Sequence, residues 1–246
     1  MVELNQTKNY SMPRQSGLYP PPPIEYKNAR ALVTLFQCAP NLKDKYLPPE
    51  LSSVEEGLDT IIILEYPNTS IGPYNEGLIA FHCLYGEIPG YFIFSIYVNT
   101  DVALGAGREI WGIPKKMSTI QLSSIKNNQI KGSVIRKGST LLEVEAEVLN
   151  NPPGIDPKEL FQIMPFYNLK LIPDIADNSK VALRQLTETS LVIKGIYKNN
   201  AIVPINIKSE YSQYDIAREI LNGSNMQLGG FYVEYDFTLP NGRVLE

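Results

Sequence analysis

The polarity of the chain changes period repeatedly, and most stretches between the changes are short strands. Over residues 24–37 the side chains alternate, with Ala31, Val33 and Leu35 on one face and Leu32, Thr34 and Phe36 on the other, which predicts a strand. Residues 60–66 form a β-branched run fit for a buried strand. Residues 78–85 and 91–99 read as two apolar strands around the turn Gly86-Glu87-Ile88-Pro89-Gly90. Three alternating strands follow over 120–125, 130–136 and 141–149, with turns at Asn127-Asn128 and Lys137-Gly138-Ser139. In the third, Glu143, Glu145 and Glu147 face one way and Leu142, Val144, Ala146 and Val148 the other, so those glutamates form a solvated face and not an acid cluster. Alternation returns over 181–198, and a strand is expected near the end, within 228–240.

Helical signals are few. Asn41 caps a short helix that Pro48-Pro49 stops, Asp156-Pro157 is a cap followed by proline at the first helical position, and a helix opening at Ser212 to Asp215 ends at Asn222-Gly223. Residues 69–77 form a loop by their Gly, Pro and Asn content. Residues 1–23 end in Tyr19-Pro20-Pro21-Pro22-Pro23, an extended polyproline arm suited to packing across a neighbour or over the fold itself. Many strands, few short helices and no βα alternation predict a mainly β, α+β fold in a single domain over 1–246.

Composition narrows the function classes. With 246 residues, 43% hydrophobic, 20% charged and a net charge of −4, the chain reads as an ordinary soluble protein able to bury a core. Its cationic residues are scattered, so no nucleic-acid footprint is expected. No apolar run suits a secretory signal or a membrane span, and a cytoplasmic enzyme is the expectation. Cys38 and Cys83 make no metal-ligand spacing and are expected to be buried thiols. The single histidine, His82, excludes a multi-histidine metal site and is expected in the core or at a subunit interface.

The candidate chemistry lies in Gly105-Ala106-Gly107-Arg108-Glu109-Ile110-Trp111-Gly112-Ile113-Pro114-Lys115-Lys116-Met117. Ile110 stands where a dinucleotide loop needs its third glycine, and no Gly-Lys-Ser follows, so phosphate-loop readings fail. A lysine pair among apolar and glycine neighbours is unusual. Roughly one ordinary lysine in 2,500 carries a free amine at pH 7, and burial raises that fraction. Gly107-Arg108-Glu109 followed by Pro114-Lys115-Lys116 resembles the acetoacetate decarboxylase family, whose lysine is activated by desolvation or an adjacent cation.

The resemblance implies that Lys115 is the Schiff-base nucleophile and Lys116 its neighbouring cation. In an extended segment, however, the two side chains point to opposite faces, so desolvation, with Trp111, Ile113 and Met117 as the apolar surround, is the expected cause of activation. Asn28-Ala29-Arg30 resembles, with one residue of slack, the family's active-site arginine, making Arg30 a candidate to hold or orient a carboxylate. Tyr74-Asn75-Glu76 resembles the family's Tyr-Thr-Glu, making Glu76 the best-matched acid. The strand glutamate of the family is replaced by Ile61 or Ile62, and the nearest acid is Glu65, three or four residues or about ten ångströms along the strand. Residues 165–173 resemble a second family stretch in which Lys170 is structural. The resemblance further implies a closed, cone-like antiparallel β-barrel, a homo-oligomer, an oxo acid substrate and no metal or organic cofactor. The activity so implied is decarboxylation of a β-keto acid through a lysine iminium. The Ile61 or Ile62 departure leaves open aldol condensation or dehydration of another oxo acid, and a non-catalytic small-molecule binder is the third reading.

Overall fold

The computed structural model describes residues 10–13, 15–177, 179–222, 224–225 and 228–245. Residues 1–9 and Arg14 of the expected arm and Gly223 of the expected helix stop lie outside these. The strands are β1 Ile24–Cys38, β2 Leu51–Ser53, β3 Asp59–Tyr66, β4 Asn68–Thr69, β5 Tyr74–Tyr85, β6 Ile88–Val98, β7 Lys115–Met117 and β8 Thr119–Leu122. They continue as β9 Gln129–Arg136, β10 Ser139–Val148, β11 Phe166–Pro173, β12 Val181–Thr189, β13 Val192–Lys208, β14 Ser224–Asn225, β15 Gly230–Leu239 and β16 Arg243–Leu245. Three short helices, α1 Pro40–Lys43, α2 Asp101–Ala106 and α3 Ala217–Asn222, accompany them, with π-helical turns at Gly107–Trp111 and Glu159–Ile163. The mainly β expectation holds, but the helix expected to open at Asp156 is a π-helical turn, and the loop expected over 69–77 already holds the start of β5.

All strands belong to one sheet, whose path runs β16-β12-β11-β6-β5-β3-β1-β15-β13-β10-β9-β8. The path is open, with β16 at one end and β8 at the other, so a closed barrel is not what the hydrogen bonding forms among the described residues. Nor is it wholly antiparallel: β6 pairs parallel with β11 and with β7. The sheet curls enough that Asn75 Nδ2 on β5 donates to the Ile120 carbonyl on β8 at 3.0 Å, which brings β8 back across the face of the central strands.

That curl gives β1, β3, β5 and β6 two buried faces and explains why β3 is apolar at almost every position. Ile62, Leu64, Leu78, Ile93 and Ile96 belong to one core, whereas Ile61, Ile63, Ile79, Phe81 and Phe92 belong to the other, with Ile120, Val134 and Leu142 from β8 to β10. Each fully buried aliphatic side chain contributes about 1.5–3 kcal/mol. Cys38 and Cys83 are buried free thiols. At the edge of the second core a buried ion pair, Lys43 with Asp59 at 3.2 Å, is completed by backbone N–H groups of Cys38 and His82, each 2.8 Å from the Asp59 carboxylate. His82 stacks obliquely near Tyr91, and burial, then the Lys43 charge, hold its pKa below the usual value. Among the described residues no helix is long and apolar enough to cross a membrane.

Candidate active site

The segment that carries the lysine pair is helical before it is extended. Asp101–Ala106 forms α2, Gly107–Trp111 widens into a π-helical turn, and Gly112 ends it in the left-handed region at φ 74°, where glycine is the residue without a steric cost. The chain then enters β7, beside β6, with Lys115 opposite Ile96. Gly107 makes the geometry possible: a Cβ there would stand 2.5 Å from Lys115 Cδ and 2.7 Å from Cε. Arg108 donates to the Lys115 carbonyl at 3.3 Å, and Glu109 accepts from the Tyr19 hydroxyl of the N-terminal arm. The Gly-Arg-Glu motif thus clears a channel for Lys115, ties down its backbone and fastens the arm over the turn.

Lys115 is buried, 6% exposed, and its Nζ lies 2.8 Å from Glu76 Oε2 as a close ion pair whose angle is not that of an aligned hydrogen bond. Tyr66 donates to Glu76 Oε1 at 3.2 Å, the Tyr26 and Tyr74 hydroxyls lie 2.9 Å apart, and Nζ sits 5.4 Å from the Tyr74 ring centre. Burial pushes the Tyr26, Tyr66 and Tyr74 phenols up, the Glu76 carboxylate adding to the effect, so they remain protonated. These groups line a cavity of about 70 Å³ whose other walls are largely apolar, including Ile62, Leu64, Ile93, Ile113 and Phe166. One water fills roughly 10–15 Å³ on this measure, so the space suits a small organic acid. Among the described lining residues, Lys115 and Glu76 are the only charged ones.

Other expected site residues fall elsewhere. Lys116 points to the opposite face of β7, as its strand position requires, and its Nζ bonds Asp215 at 2.6 Å. Asp215 is buried and also accepts from Tyr97 at 2.9 Å and Arg136 at 3.0 Å. Lys116 is therefore not the cation beside Lys115. Arg30 and Glu65 are cross-strand partners that pair with one another, Arg30 donating also to the Tyr232 hydroxyl at 3.0 Å and the Ser123 carbonyl at 2.6 Å. Both lie on the face away from the cavity. The cause is a bulge in β1: Asn28 takes φ 55° and the register shifts between Tyr26 and Ala29. The extra residue flips the alternation, so Ala29 faces the cavity core and Arg30 does not. On β3, Ile62 lines the cavity, Ile61 belongs to the other core, and Glu65 does not approach Lys115.

Of the three residues expected to desolvate Lys115, only Ile113 lines the cavity. Trp111 is buried but donates from Nε1 to the Pro240 carbonyl at 2.9 Å, and Met117 is 45% exposed. Lys170 donates to the Ile110 carbonyl at 3.4 Å, a structural contact. No sequence motif marks these tyrosines as a group; their signal is their placement at cavity-facing positions of β1, β3 and β5.

A curled β-sheet thus encloses a largely apolar cavity in which the buried Lys115 is paired with the Glu76 carboxylate. The family model described as "Acetoacetate decarboxylase (ADC)" matches residues 10–246. The chain belongs to the acetoacetate decarboxylase family. It is 22% identical over 242 residues to an acetoacetate decarboxylase of Acidiphilium cryptum, covering 96% of this chain and 94% of that one. Its fold is similar to that of acetoacetate decarboxylase from Legionella pneumophila, with a TM-score of 0.83 at 21% identity over 98% of this chain and 94% of the other. It is also similar to the enduracididine biosynthesis enzyme MppR in complex with pyruvate, with a TM-score of 0.74 at 16% identity over 96% and 97%.

Proposed function

We propose that the protein is a Schiff-base enzyme acting on a β-keto acid, with Lys115 as nucleophile, and that it releases carbon dioxide. The observation that carries this reading is the ion pair of Lys115 and Glu76 inside an apolar cavity. A proton passed from Nζ to Oε2 across their 2.8 Å contact yields a neutral amine and a neutral acid. The amine adds to the ketone carbon, and Glu76 returns its proton to the departing hydroxyl, which leaves as water. The resulting iminium takes up the electron pair of the breaking carbon–carboxylate bond as carbon dioxide departs. Protonation of the enamine carbon and hydrolysis of the imine then restore Lys115. Dry, apolar walls favour loss of the carboxylate charge, and the protonated Tyr66 orients Glu76.

A second Schiff-base reading, aldol condensation or dehydration of another oxo acid, is favoured by Ile62 in the wall and by the absence of any arginine among the described lining residues. The two separate on one experiment. Acetoacetate with borohydride is expected to leave a reduced adduct on Lys115 and to release carbon dioxide. An adduct without gas supports the second reading, and binding without an adduct makes the protein a binder. We further propose that the protein is a homo-oligomer, a reading that the exposed apolar side chains Leu171, Ile172, Ile175 and Val181 support, and that it works in the cytoplasm.

A further inference from the structure

The wall of the cavity remote from Glu76 carries polar atoms with nothing to bond. Asn168 on β11 is fully buried, yet both its Oδ1 and Nδ2 lack a partner among the described residues; Thr189 on β12 is 4% exposed and its Oγ1 is likewise unpaired. Both side chains line the cavity that holds Lys115. Phe166 pairs with Thr189 and Asn168 with Thr187, so Asn168 and Thr189 are diagonal neighbours on one face. Buried polar groups in native proteins are nearly always paired, and an unpaired one is costly. Three such atoms on one cavity wall have the form of a site that a ligand completes.

Register gives the position of that wall. β7 and β11 both run parallel to β6, with Lys115 opposite Ile96 and Tyr167 opposite Phe92. Continuing the second register sets Asn168 beside Ile93, three residues from Ile96 and so about 10 Å along the strand. Glu76 lies the other way, opposite Val98. The carboxylate carbon of acetoacetate is only two carbon–carbon bonds, about 2.5 Å, from the carbon that would bond Lys115, whereas the backbone positions of Lys115 and Asn168 are about 10 Å apart along β6.

We propose that the substrate is a keto acid longer than acetoacetate, ending in a neutral group that both donates and accepts hydrogen bonds, a hydroxyl or an amide, which Asn168 and Thr189 bind. The amide of Asn168 supplies donors and an acceptor, the Thr189 hydroxyl one of each, and no charged group on this wall calls for a charged partner. This deepens the proposed function and rests on its reading of Lys115 as the carbonyl-binding end.

The test uses two methyl ketones with the same number of heavy atoms, one ending in a primary amide after three methylenes and the other in isopropyl. Calorimetric affinity is measured for the wild type, Asn168→Leu and Thr189→Val, and borohydride trapping is followed separately. A pocket built for hydrogen bonding rejects an analogue that lacks the group, so the wild type is expected to prefer the amide at least tenfold. Asn168→Leu is expected to reverse that preference while raising the Tm, whereas a merely structural asparagine would lower the Tm. Equal affinities in the wild type, binding of neither ketone, or a preference that survives both substitutions would overturn the proposal. Amide preference without any adduct on Lys115 supports the polar wall and sinks the Schiff-base reading alone.

Discussion

Lys115 and Lys116 are adjacent on one strand and occupy opposite electrostatic settings. Lys115 enters a largely apolar cavity and meets a single carboxylate. Lys116 is 38% exposed and joins Arg136 on a buried Asp215 that a tyrosine also bonds. The first pair can lose both charges by moving one proton. In the second, a carboxylate with three donors keeps its charge satisfied, and the bond anchors the loop at Asp215 to β7. Adjacency in sequence therefore says little about shared chemistry on a strand, because period-two alternation sends neighbours to different cores.

The largest effect is expected from Lys115→Arg, which keeps a cation but removes the amine: carbon dioxide release should fall roughly ten-thousand-fold or below detection. Glu76→Gln leaves the amine without its proton acceptor, and a loss of about 10²-fold in the rate of imine formation is expected by rapid-quench trapping. Gly107→Ala sharpens the positional half of the comparison. Its new Cβ must displace the Lys115 stem, and a displacement of about 1 Å can cost on the order of 10²-fold, so kcat should fall while the Lys116 network stays intact. Asp215→Ala should lower stability by about 2–3 kcal/mol in denaturant titration, because two cations lose their partner, while trapping on Lys115 falls less than about tenfold.

The smallest effect is a pH effect on stability. Burial raises the pKa of Tyr26, Tyr66, Tyr74 and Tyr235 above the ordinary 10.0. Below pH 10 folded and unfolded chains both hold these protons and the contribution is fully present. Above it only the unfolded chain releases them at first, so stability falls with rising pH until the folded phenols ionise. Alkaline unfolding followed by tyrosinate absorbance should steepen above pH 10, and Tyr235→Phe should make it shallower.

Much of this arrangement is legible in the sequence. Apolar alternation places β1, β9 and β10, and β-branched or apolar runs place β3, β5 and β6, within a few residues, while the resemblance carried by Gly-Arg-Glu and Pro-Lys-Lys singles out the lysine that turns out to be buried. Glu76 is legible through the resemblance of Tyr74-Asn75-Glu76 to the family's Tyr-Thr-Glu. The face of Arg30 is not, because a single bulge residue, Asn28, inverts the alternation that would have placed Arg30 with Tyr26; an asparagine tolerant of positive φ is its only mark. Asn168 and Thr189 are hidden for another reason. Each is an ordinary polar residue within a strand, and its unpaired state exists only once the sheet has curled around the cavity. The open path of the sheet is also a tertiary outcome that strand patterns leave undetermined.

The most direct test compares wild type, Lys115→Arg and Lys116→Gln after incubation with acetoacetate and borohydride, with adducts mapped by peptide mass and folding checked by circular dichroism. A reduced adduct on Lys115 in the wild type, its retention in Lys116→Gln and its absence from Lys115→Arg are the expected results. An adduct that persists in folded Lys115→Arg, or one that maps to Lys116, would contradict the account.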